Sequence, residues 1–190
     1  DLNELKKIKT LSIIKGDISP DLFEDDLTKS TLSSIGAMKE IQAENGEKAC
    51  NRYIISNNQS ALNILEVFTM FRLSDWDNPT VDIVPLFETV SDLKVASKVM
   101  DLVYSNPIYK KHLERRKNQQ TIMLGFSDGT KDGGYLMANW SILKAKEALT
   151  SISRKHGVKV IFFDGRGGPP ARGGGNTHQF YSSMGTFVES

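Results

Sequence analysis

Four short apolar runs set the strongest limit on how this chain can fold. They are YIIS from Tyr53, VDIVPLF from Val81, TIMLGF from Thr121 and VKVIFF from Val158. None alternates between polar and apolar residues. Continuous apolar sequence of this length marks a strand covered on both faces, as in a parallel sheet. The intervals between the runs carry helical spacing. Ala61, Ile64, Phe68 and Phe71 follow the first run, and Val90, Leu93, Ala96, Val99 and Val103 follow the second. Thr89 with Asp92 three residues on predicts a helix-start cap, and a second short helix is expected over Ile108 to Lys117, after Pro107. Leu136, Trp140, Leu143, Leu149 and Ile152 predict a long amphipathic helix that stops near Gly157. Strands alternating with helices mean parallel strands joined by helical crossovers. A segment of a (β/α) barrel and an open doubly wound sheet both satisfy that pattern.

The chain has 190 residues, enough for one domain with a sizeable core. The first fifty residues read as helices, including Leu32 to Ala43, with no repeat and no long linker. The formal net charge is +1, so any electrostatic function must come from local placement. Cys50 is the only cysteine, which precludes an intrachain disulfide and fits a reducing compartment. No apolar run is long enough to span a bilayer. The start, DLNELKKIKT, has neither an initiator Met nor a signal-peptide core, and reads as the interior of something longer.

In α/β proteins the functional face lies beyond the C-terminal ends of the strands. Glu88 follows the second run; Ser127, Asp128, Lys131 and Asp132 follow the third; Asp164, Arg166 and Arg172 follow the fourth. In a parallel sheet these carboxylates and cations converge on one rim. Paired carboxylates on strand ends can hold a divalent cation by oxygen ligation, and neighbouring Lys and Arg can then hold an anion. Glycines let backbone N–H groups approach an oxyanion without Cβ interference.

Each residue also has a plainer reading. Glu88 fits as a charge at the start of the next helix, and Asp128, Asp132 and Asp164 as turn or cap residues. Lys131 fits as a solvated lysine. His112 and His156 sit in charged surroundings and are expected to face solvent, KKHLERRK from Lys110 to be a wet helix face, and Trp76 and Trp140 to pack at least half buried. His178, after Asn176 and Thr177, falls at an expected helix start. The Arg/Gly stretch GRGGPPARGGG, from Gly165, superficially resembles RNA-binding RGG segments, but it carries no aromatic residue and is anchored by VKVIFF. It also lacks the GK[ST] ending of a nucleotide P-loop.

Taken together, VPLFET, GFSDGTKDGG and FDGRGGPPARGGG, in that order at the ends of successive runs, resemble the phosphoenolpyruvate carboxylases. RYIIS from Arg52 and MANW from Met137 add to the match. The resemblance covers about Arg52 to His178 and the helices before it, in a family whose chains are several times longer. It implies a partial TIM-type (β/α) barrel of about four parallel strands with long helices. Residues 1–50 would be an N-terminal helical segment of the same domain, and 51–190 part of the catalytic barrel. It further implies a cytoplasmic, homo-oligomeric parent, tetrameric in the family, with no nucleic-acid or membrane partner. That parent would use Mg2+ or Mn2+ to carboxylate phosphoenolpyruvate with bicarbonate. By position, Glu88 and Asp128 would be metal ligands and Lys131 would lie near bicarbonate or phosphate. Arg166 and Arg172, within Gly167, Gly168 and Gly173, would hold the phosphate and the carboxyphosphate intermediate. Asp164 stands where many members have His. Parts of the family's site lie outside this window, so the isolated chain is expected to be inactive. The competing reading is a noncatalytic α/β module that binds RNA or phosphorylated ligands through the Arg/Gly loop.

Overall fold

A computed structural model of the chain describes residues 3–165 and 176–182, without the side chains of residues 127–129, 177, 180 and 181. Four strands, β1 (Arg52–Ile55), β2 (Asp82–Phe87), β3 (Gln119–Gly125) and β4 (Lys159–Gly165), form one sheet in the order β1-β2-β3-β4. Every neighbouring pair is parallel. The order never reverses, which is the arrangement of a barrel segment rather than of a doubly wound sheet with a switch point. Helix α1 (Glu4–Ile13) and helix α2 (Asp26–Asn45) precede the sheet. Helix α3 (Ala61–Leu73) joins β1 to β2, α4 (Val90–Ser105) and α5 (Pro107–Arg115) join β2 to β3, and α6 (Ser127–Lys155) joins β3 to β4. A short α7 (Thr177–Ser182) follows, with the His178 N–H donated to Asn176 Oδ1.

Local chemistry sets these boundaries. Asp25 caps α2, its carboxylate accepting the Thr28 N–H at 2.7 Å. Thr89 and Asp92 form the expected reciprocal box at the start of α4. Asn106 Oδ1 accepts from the Ile108 and Tyr109 N–H groups, and Pro107 fills the first position of α5. Gly157, at φ +67°, turns the chain from α6 into β4. Gly134, at φ +76° and ψ 169°, breaks α6 after its second turn.

The core lies between the helices and one face of the sheet. Ile83 and Phe87 of β2, Ile122 and Leu124 of β3, and Val160 of β4 meet Ile64 and Phe68 of α3 and Val99, Met100 and Val103 of α4. Helix α2 adds Leu32, Ile35 and Met38. Burying each such side chain contributes about 2 kcal/mol before conformational entropy is counted. The other face is less covered: Ile54 and Phe163 are exposed, and Leu86, Met123 and Ile161 half-buried. Unbroken apolar sequence therefore does not mean cover on both faces for the edge strands β1 and β4. Among the described residues, no helix is long and apolar enough to cross a membrane.

Four side chains depart from their expected places. His112 is buried, against Phe68 at 4.8 Å and Tyr109 at 5.5 Å between ring centroids. His156 is half-buried, its Nε2 2.6 Å from Asp101 Oδ1. Trp140 is 55% exposed and Leu136 81% exposed, because α6 turns Ala138, Ile142, Ala145 and Leu149 inward instead. Trp76 is half-buried against Phe71, as expected.

Candidate active site at the C-terminal rim of the sheet

Because all four strands run the same way, their C-terminal ends share one rim. Phe87 pairs with Leu124, and Leu124 with Asp164, so the ends of β2, β3 and β4 are level. Glu88 leaves β2 directly beside Gly125, the last residue of β3. A Cβ on Gly125 would lie 2.9 Å from Glu88 Cα and 3.4 Å from Glu88 O. Only glycine permits that approach of two backbones.

The Glu88 carboxylate is half-buried, and its Oε1 accepts the Asn57 N–H at 3.1 Å. Asn57 holds φ +51°, so the turn after β1 is bent to deliver that donor. Among the described residues, Oε2 accepts no hydrogen bond. The N–H groups at the start of α4 are met by other carboxylates. Asp92 accepts the Thr89 N–H at 3.0 Å, and Asp132 Oδ2, reaching across from α6, accepts the Val90 N–H at 3.3 Å. The cap reading thus holds for Asp132.

Next to Asn57, Asn58 is fully buried, and neither atom of its amide has a partner among the described residues. A buried, unpaired amide is costly and points to a missing partner at this end of the sheet.

Helix α6 begins two residues beyond β3, which places Asp128 and Lys131 in its first turns. The backbone of Asp128 lies at this rim, while its carboxylate falls outside the described side chains. Lys131 is exposed. Arg166, Gly167, Gly168, Arg172 and Gly173 lie outside the described residues; the chain enters their segment from Gly165, level with Gly125. Asp164 is tied to α6: Lys146 Nζ lies 2.9 Å from Oδ1 and 3.0 Å from Oδ2.

Among the described residues, no three His, Cys, Asp or Glu side chains gather to hold a metal. The oxygen donors that are present suit a hard cation of the Mg2+ kind, which takes one or two carboxylates and keeps its remaining positions for water and substrate. Glu88, whose Oε2 accepts no hydrogen bond among the described residues, is a candidate donor of this kind, and Asp128 is the candidate second one.

Residues 3–183 match the family model described as phosphoenolpyruvate carboxylase. The chain belongs to the phosphoenolpyruvate carboxylase family. It is 43% identical over 160 residues to a protein of Nitrosomonas europaea named phosphoenolpyruvate carboxylase, a match covering 81% of this chain and 17% of the relative. A protein of the same name from Nitrosomonas eutropha is 39% identical over 184 residues, 94% of this chain and 19% of the relative. One from Gloeobacter violaceus is 38% identical over 157 residues, 80% and 17%. The chain therefore spans about a fifth of the length of these phosphoenolpyruvate carboxylase relatives.

Sequence reasoning missed Gly125, Asn58 and Lys146. Gly125 stands out as the one residue in TIMLGF without a side chain. Lys146, in KAKEA, carries no mark that separates it from a solvated lysine.

Proposed function

We propose that this chain forms the metal- and phosphate-holding part of a phosphoenolpyruvate carboxylase, which joins phosphoenolpyruvate and bicarbonate to give oxaloacetate and phosphate. What carries the reading is the level parallel rim, at which Glu88 sits against the end of β3 just before Asp128, in a chain of this family. Glu88 and Asp128 are the proposed ligands of Mg2+ or Mn2+. Such an ion supplies Lewis-acid stabilisation of charge developing on the enolate oxygen of the substrate.

The chain's own residues have distinct tasks in this scheme. Bicarbonate attacks phosphorus and the phosphoryl group passes to it, leaving the enolate of pyruvate and carboxyphosphate. Arg166 and Arg172 hold the transferring phosphoryl group and offset its charge, and the glycines around them offer backbone N–H groups to its oxygens. Lys131 lies toward bicarbonate or phosphate as a further cation. Carboxyphosphate then releases carbon dioxide and phosphate, and the enolate carbon captures the carbon dioxide. Water must be kept from that carbon, or protonation gives pyruvate. The remaining groups of the site belong to other parts of a longer polypeptide, so the 190-residue chain alone should not turn over. The rival, a noncatalytic module that binds RNA or phosphorylated ligands through the Arg/Gly loop, draws no support from these three relatives, each named phosphoenolpyruvate carboxylase.

The test is oxaloacetate formation from phosphoenolpyruvate and bicarbonate by the full-length protein with Mn2+, beside Glu88→Gln and Asp128→Asn. Both variants should lose activity and weaken Mn2+ binding. Full activity in either, or no carboxylation by the wild type, overturns the reading.

A further inference from the structure

The Lys146–Asp164 pair is the one buried ion pair on the rim side of the sheet among the described residues, and the mechanism above makes no use of it. Lys146 sits on the inward face of α6, between Ile142 and Leu149, and is only 3% exposed. Its ammonium meets both oxygens of Asp164, at 2.9 and 3.0 Å, and lies 5.6 Å from the centre of the Phe162 ring. Strand residues two apart share a face. Val160, Phe162 and Asp164 therefore point to α6, while Ile161 and Phe163 point to the less covered side.

Packing alone does not explain the pair. Removing an ion pair in favour of apolar residues is often neutral or stabilising, because both charges must be desolvated. Its position is more informative. Asp164 is level with Leu124, one residue before the glycine that touches Glu88, and two strands from β2. Two strand spacings put it roughly 10 Å from the end of β2. Every reactant of the proposed reaction is an anion. A bare carboxylate at that distance, poorly screened by solvent, would repel each of them.

We propose that Lys146 is a positioning residue: it holds Asp164 against α6 and cancels its charge, so that the rim stays attractive to anionic substrate. This rests on the carboxylase reading. It makes a prediction that a structural role does not: the two halves of the pair should shift substrate affinity in opposite directions. A unit charge at about 10 Å and an effective dielectric near 20 changes anion affinity about tenfold.

The experiment is steady-state kinetics of the full-length protein, with thermal unfolding recorded for each variant. Lys146→Met should raise KM for phosphoenolpyruvate about tenfold, with a smaller change in kcat. Asp164→Asn should lower KM severalfold, and Lys146→Met combined with Asp164→Asn should return it near the wild-type value. Lys146→Arg, which keeps the charge, should leave KM within about twofold. Should Lys146→Met fail to fold, Asp164→Asn and the double variant still decide the matter. KM raised by both single substitutions, unchanged by Asp164→Asn, or not restored in the double variant overturns the proposal. A wild type that forms no oxaloacetate removes the carboxylase reading and this inference together, whereas an active wild type without the opposite shifts removes the inference alone.

Discussion

The two ends of the same four strands treat their polar groups differently. At the N-terminal end several are tied to one another. The Arg116 guanidinium meets Asp82 at 2.7 Å and Glu47 at 2.6 Å, joining the start of β2 to the turn after α2. The Gln120 amide donates to Ile83 O and Thr121 O and accepts from the Tyr109 hydroxyl. At the C-terminal end, among the described residues, Glu88 Oε2 accepts no hydrogen bond and the buried Asn58 amide has no partner. Satisfied polar groups hold a fold, and each buried unsatisfied one calls for an explanation. The difference is the one expected if the C-terminal rim is the proposed site, since barrel enzymes keep stability at one end and chemistry at the other.

That division is broken most directly by swapping the penalties between ends. Glu88→Gln should cut kcat of the full-length protein by about a thousandfold, the scale expected when a metal ligand loses its charge. Its unfolding temperature should barely move, since the carboxylate makes one described hydrogen bond. A variant that loses stability rather than turnover would place Glu88 in the scaffold. Gly125→Ala should cost about ten- to a hundredfold in kcat/KM, because the new methyl would stand 2.9 Å from Glu88 Cα and displace it. Gly36→Ala is the control: nothing lies within 4 Å of that Cβ, and a helix gains from the change. Equal kinetics for the two glycine variants would mean that the placement of Glu88 does not matter.

Arg116→Met sharpens the contrast from the other end. It strands two carboxylates and should destabilise the chain by about 2 kcal/mol, read from urea unfolding. kcat in the full-length protein should stay the same. A loss of turnover at unchanged stability would dissolve the boundary between the two ends.

What the residues disclosed follows the same division. The strands and crossovers were legible because β2 and β3 are long apolar runs whose neighbours repeat at helical spacing. Glu88 could be singled out because it directly follows a core strand, at the end where a parallel sheet gathers its functional groups. The inward face of α6 was legible only at Leu149 and Ile152, because the rest of it is built largely from Ala138, Ser141, Ala145, Lys146 and Ser153, none of which reads as core. The visible stripe of Leu136 and Trp140 lies on the opposite side, just beyond the break at Gly134. Nor could the Lys146–Asp164 pair be seen, since only the return of the chain from α6 into β4 brings those residues together. His112 was hidden for a related reason. In KKHLERRK the charges on either side dominate, yet a helix buries every third or fourth residue, and here that face holds Tyr109, His112 and Leu113.

His112 supplies the smallest test, and it falls on the stable end. Burial, and then the nearby Arg115 and Arg116 guanidinium groups, push its pKa down to about 3; a hydrogen bond with the Val81 backbone opposes them only in part. The imidazole is thus neutral in the folded chain, packed against Phe68 and Tyr109, and its Nδ1 has no partner among the described residues. In the unfolded chain it takes a proton near its ordinary value of about 6.5. The folded pKa is the lower one, so the unfolded state binds more protons between the two values. Stability is therefore intact above about 6.5 and falls as the pH drops toward 3, by about 1.4 kcal/mol for the first full unit. Urea midpoints of the 190-residue chain at pH 7 and pH 5.5 measure this. The wild type should lose stability over that interval, and His112→Phe, which keeps a ring beside Phe68, should lose less by about that amount. Equal losses in both would mean that His112 takes its proton without unfolding, and that the packed end of the sheet is looser than its hydrogen bonds imply.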